Sequence, residues 1–165
     1  MNGVLHLLKI FGILALGVAV GAVGFVYYDR LIHRRRYLEK LTLFAATCAN
    51  TMRCTHRSVF EIFKENGIKE LKFLQRIDKT NITDRTAVSE LLIAADVASS
   101  DRAVVTDFVV DLSVGDIKEL TAHCEYYRLK FEQMLGVAEK DVGEKGRLFR
   151  SLFVLAGVAL FIILI

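Results

Sequence analysis

The side chains best suited to chemistry are Cys48, Cys54 and His56, with His123 and Cys124 further along the chain. Thiolates and imidazoles bind transition metals, but a structural zinc site asks for four such ligands at tight, recurring spacing. Here the spacings are irregular, and His123 and Cys124 join the others only through tertiary folding. A Cys–His pair also makes an activated nucleophile when the two groups are within hydrogen-bond reach. Proximity in sequence does not create that reach. The three cysteines are an odd number, which argues against a secreted disulfide framework. They read as reduced and cytosolic, and Cys48 and Cys124 fall on apolar stripes where a free thiol packs as a small hydrophobe. One function follows as an alternative: a membrane-anchored metal- or thiol-dependent protein using Cys48, Cys54 and His56.

Other chemistry is missing at the level of motif. The chain has no GxxxxGK or GxGxxG loop to cradle phosphates and no GxSxG or HExxH. These routes to a nucleotide site, a serine hydrolase or a zinc peptidase are closed. No catalytic residue, metal ligand or cofactor is assigned, and the expectation is a protein that binds partners and is not an enzyme. Asn81-Ile-Thr83 matches a glycosylation sequon, which matters only on a lumenal domain. Here it reads as a turn and helix cap.

The elements that would position these residues follow from where the charges fall. All 19 acidic residues, and all of the 22 Lys and Arg except Lys9 and Arg150, lie between Asp29 and Arg147. The two signs nearly balance there, so no basic excess exists to neutralise many phosphates, and nucleic acid is not expected as a partner. Outside this middle lie two apolar runs, Ile10–Tyr28 and Leu148–Ile165. Each has about the 20 residues that a bilayer core requires. The first ends on Tyr27 and Tyr28, the aromatic pair of a membrane interface. The predicted organisation is an N-terminal segment 1–28 with a span over 10–28, a helical bundle over 29–147, and a C-terminal span over 148–165.

Orientation follows from the basic residues. Arg30, Arg34, Arg35 and Arg36 follow the first run, and Lys140, Lys145, Arg147 and Arg150 flank the second. Lys9 alone stands on the other side. Such a bias holds its side in the cytoplasm and opposes a cleaved signal peptide for the first run. The middle is expected in the cytoplasm and both ends of the chain outside. Gly17 and Gly21 form a GxxxG pair, which lets helix backbones approach closely in lipid, within the chain or between copies in a homo-oligomer.

The middle itself reads as helices. Proline is absent, so nothing forces a break. Leu38, Leu41, Ala45, Cys48 and Met52 step by 3, 4, 3 and 4, a helical stripe that continues the first run. Ser58–Glu61 has the pattern of a capping box, opening a short helix with Phe60 and Phe63 that Asn66-Gly67 ends. Ile68–Ile77 predicts another short helix. After a polar loop, Thr83 or Asp84 caps a helix burying Val88, Leu91, Leu92 and Ala95, and Ser99, Ser100 and Asp101 offer a further start. Ser113–Asp116 opens the last helix, whose stripe is Ile117, Leu120, Cys124, Tyr127, Phe131, Met134 and Ala138. Gly143 and Gly146 are expected to loosen it. The predicted fold class is all-α, a helical bundle held between two transmembrane helices.

This layout resembles a known family. The residues that carry the likeness are Ser113-Val-Gly-Asp116, Phe131-Glu132 on a long helix, and the run Lys145-Gly-Arg-Leu-Phe-Arg-Ser-Leu152 into an apolar tail. The chain resembles stage III sporulation protein AB of endospore-forming bacteria over nearly its whole length, most closely from Leu112 to Ile165. It departs from the family at Thr55-His56-Arg57, where a Thr-Pro-Leu turn is usual, and in Leu112-Ser-Val-Gly-Asp116, where the small residues are rearranged. The resemblance implies a cytoplasmic bundle similar to that of the inner-membrane platform protein of type II secretion and type IV pilus systems. It implies as partners a secretion-type ATPase and other membrane components of one complex. It also implies a location in the mother-cell membrane facing the forespore.

Overall fold

The computed structural model describes residues 2–55, 59–65, 69–77 and 82–164. Every regular element among them is helical: α1 (Asn2–Thr55), α2 (Val59–Glu65), a 3₁₀-helix (Lys69–Arg76), α3 (Arg85–Ala94), α4 (Ser99–Asp111) and α5 (Ile117–Leu164). The all-α expectation holds. α5 runs through Gly143 and Gly146 without a break.

Two compact units divide the chain. One is 34–137 and the other joins 1–33 with 138–165. In the first, α1 buries Leu38, Leu41, Ala45, Cys48 and Met52, the whole predicted stripe, together with Tyr37, Phe44 and Ala49. From α5 come Cys124, Tyr127 and Phe131, while Ile117 at the start of the same stripe is exposed. Phe108 of α4 lies at the centre. Its ring centroid is 5.3 Å from Phe131, 5.2 Å from Tyr127 and 6.3 Å from Phe44, and Phe44 in turn meets Phe63 of α2 at 5.7 Å. Edge-to-face contacts of this kind add to the burial term.

The connections close with specific chemistry. Asp84 caps α3, accepting from the Thr86 N–H at 2.8 Å and the Ala87 N–H at 3.3 Å. Past α3, Asp96 takes φ 56°, a left-handed geometry that Asp tolerates. There the Val97 N–H returns to the Leu92 carbonyl at 3.0 Å and buried Val97 seals the turn. Asp116 and Glu119 cap α5 reciprocally: the Glu119 N–H donates to Asp116 Oδ1 at 2.8 Å and the Asp116 N–H to Glu119 Oε2 at 3.3 Å. Gly115 precedes them at φ +130°, and a Cβ there would meet Glu119 Oε2 at 2.9 Å. The short helix expected over Ile68–Ile77 is present as a 3₁₀-helix, Lys69–Arg76. It bends at Leu71 and buries Leu71, Phe73 and Leu74.

The second unit has a close approach of its own. A Cβ on Gly24 would meet the Phe149 ring at 3.1 Å, and one on Gly146 would meet the Tyr28 ring at 3.3 Å. Gly17 and Gly21 lie in α1, but their surroundings are outside the described residues. Among the described residues no helix is long and apolar enough to cross a membrane. Most side chains of the two apolar runs, 10–28 and 148–165, lie outside those residues.

Candidate functional site

The most connected polar group inside the bundle is Asp101. It stands in the first turn of α4, where an acid ordinarily faces the helix N-terminus. Here no side chain caps the helix; Ala98 occupies the cap, and Asp101 is spent elsewhere. Arg34 of α1 donates to it in a fork, Nε to Oδ2 at 2.7 Å and Nη2 to Oδ1 at 2.8 Å, and Ser100 Oγ adds a bond to Oδ1 at 2.9 Å. The Asp101 side chain is 1% exposed and that of Arg34 21%. A planar guanidinium matches a carboxylate in this way and no ammonium would. Three donors thus converge on the buried carboxylate and hold it against α1.

Tyr37 lies one turn from Arg34 on α1 and is buried. Its hydroxyl has no hydrogen-bond partner among the described residues. Burial pushes its pKa well above the ordinary phenol value, and the negative charge of Asp101 adds to the effect. A second phenol is better served: Tyr127 donates to Asp111 Oδ2 at 2.6 Å. Its pKa is also raised, first by burial and then by that bond.

Cys48 and Cys124 are fully buried and Cys54 is exposed. His56 lies outside the described residues. The neighbouring Cys124 thiol, and then burial, drive the Cys48 pKa strongly upward. A thiol held protonated is neither a good nucleophile nor a ready ligand. No group of three His, Cys, Asp or Glu able to hold a metal occurs among the described residues.

The residues expected to orient the chain divide. Arg30, Arg35, Arg36 and Arg147 are exposed, and the side chain of Arg150 lies outside the described residues. Lys145 is half-buried, pairing with Asp141 Oδ1 at 3.2 Å and standing 5.7 Å from the Tyr27 ring centroid. The bond to Asp141, then that to Tyr27, raises its pKa. Arg34 bonds the buried Asp101. Its partner is 67 residues away in sequence, and no local signal marks a pairing at that distance. The only hint was an acid among the polar starts of α4 that a cap did not need.

The family model of stage III sporulation protein AB matches residues 9–165. The chain belongs to this family. It is accordingly a sporulation-related protein. The comparisons with curated proteins and with solved structures found no match. Ser113–Asp116, one of the segments that carry the family likeness, forms the turn into α5. Ser113 Oγ closes it on the Val110 carbonyl at 2.6 Å, and Val114 stands 71% exposed at its tip.

Proposed function

We propose that this chain is a non-enzymatic assembly protein of a sporulation complex, anchored in the mother-cell membrane by 10–28 and 148–165, with its bundle docking a cytoplasmic secretion-type ATPase. The observation that carries the reading is the family match across residues 9–165. Three further observations support it. The buried acid of the bundle, Asp101, is bonded by the bundle's own Arg34 and Ser100. Charged groups concentrate between the two apolar runs, with arginines just inside them. The chain has no phosphate-binding loop of its own, so a nucleotide-driven step would need a partner. The test is co-purification of the full-length chain, solubilised in detergent, with the secretion-type ATPase of the same organism. A stable complex that is lost when bundle surface residues are changed is the expected result. Absence of any complex at micromolar concentrations would sink the docking claim.

A further inference from the structure

We propose that the end of the first apolar run is a binding site for one anionic phospholipid. The proposal rests on the membrane reading above. A shallow, mostly open cleft of about 400 Å³ lies along α1, lined among the described residues by Ala22, Val26, Tyr27 and Arg30. Ala22, Val26 and Arg30 are four residues apart and form one ridge of the helix. The ridge runs from apolar to cationic. Val26 and Tyr27 are 54% and 47% exposed, although both belong to a segment otherwise suited to apolar surroundings. Arg30 is exposed and has no hydrogen bond or ion pair among the described residues. Asp29 precedes it and His33 follows one turn later, both exposed.

Tyr27 is fixed as the wall of this cleft. Its ring stands 6.1 Å from Phe149, and the Lys145 ammonium lies 5.7 Å from its centroid. The Gly24 backbone approaches Phe149 so closely that an added Cβ would meet that ring at 3.1 Å. An acyl chain lies along Ala22 and Val26, the aromatic ring sits at the level of the glycerol, and the Arg30 guanidinium takes the phosphate. A soluble anion would gain nothing from the apolar two-thirds of the ridge, which is why a lipid is the occupant assigned. Cationic residues at the cytoplasmic edge of a span recognise anionic head groups in this way.

The experiment uses the full-length chain in vesicles of phosphatidylcholine with a minor share of phosphatidylglycerol. After gentle detergent extraction, native mass spectrometry counts the lipids retained. Wild type is expected to hold phosphatidylglycerol about five-fold above its share in the vesicle, the factor due to one arginine at the surface. Arg30→Gln should abolish the enrichment. Arg147→Gln removes an exposed arginine that does not line the cleft and should preserve it. Val26→Trp should fill the cleft and lower retention of both lipids while Arg30 remains. Equal losses in the two arginine variants would reduce the effect to diffuse surface charge and overturn the proposal. Displacement of the retained lipid by millimolar inorganic phosphate would overturn it too, since the site would then be one for a free anion. Flotation with pure phosphatidylcholine vesicles separates the two readings. A chain that floats yet shows no enrichment refutes the lipid site alone, and a chain that floats with no vesicle refutes the membrane reading as well.

Discussion

At the scale of single residues, Arg34–Asp101 shows how an interior charge is retained. Removing one partner of a buried pair leaves the other uncompensated, so Asp101→Asn is expected to destabilise by about 3 kcal/mol. Urea unfolding of the variant checks this, and an unchanged midpoint would contradict the buried fork. Tyr37 makes the opposite case. Its hydroxyl is buried without a partner among the described residues, so Tyr37→Phe is expected to be neutral or to stabilise by up to about 1 kcal/mol. The same residue sets an alkaline limit. Its folded pKa, like that of Tyr127, is raised above the unfolded value. Stability from such a group is complete below the unfolded value, about pH 10, and is lost as pH rises beyond it. Melting curves between pH 8 and pH 11 should therefore fall at the alkaline end, and less steeply in Tyr37→Phe. Equal slopes in the two proteins would remove Tyr37 as the cause.

At the scale of elements, the glycines of α5 are not equivalent. Gly143 and Gly136 have nothing within 4 Å of a new Cβ, whereas Gly146 faces the Tyr28 ring at 3.3 Å. Gly143→Ala is therefore expected to stabilise by roughly 0.5–1 kcal/mol, the ordinary helix-interior gain. Gly146→Ala should lose that gain or reverse it, because the ring must yield by a few tenths of an ångström. Thermal unfolding of both variants decides. If they behave alike, the approach of Gly146 to Tyr28 carries no energy. Glycine thus serves close packing at one position and is replaceable three residues earlier, a distinction that helix propensity alone does not draw.

At the scale of the whole molecule, the unequal exposure of the cysteines makes a topology experiment selective. Cys54 is exposed, while Cys48 and Cys124 are buried. An impermeant maleimide added to intact cells should label none of the three. After permeabilisation it should label Cys54 alone, and unfolding should be needed to reach the other two. Labelling of Cys54 from outside would invert the orientation drawn from the arginines. Cys54→Ser should leave stability within about 0.5 kcal/mol, as surface changes do. The corresponding change to Ala at Cys48 should cost roughly 1–2 kcal/mol as a small core truncation.

The helices themselves were legible in the sequence because helix periodicity is a local property. Leu38, Leu41, Ala45, Cys48 and Met52 share a face by arithmetic alone, and all five are buried. The cap of α3, narrowed in the sequence to Thr83 or Asp84, and the opening of α5 within Ser113–Asp116 were legible for the same reason, since a cap and its N–H partners lie within one turn. The family, too, could be read from motifs along α5. What the sequence could not supply was pairing between distant turns. Arg34 stood as one of four arginines that orient a chain, and only the packing of α1 against α4 turned it inward to Asp101. Cys48 stood nearer in sequence to Cys54 and His56, and only the meeting of α1 with α5 gave it Cys124. Ile68–Ile77 carried a helical pattern, yet the segment tightened to 3₁₀ so that Leu71, Phe73 and Leu74 could all be buried. Local spacing fixes which face of a helix is apolar. Which polar group that face meets depends on the three-dimensional arrangement of elements far apart in the chain.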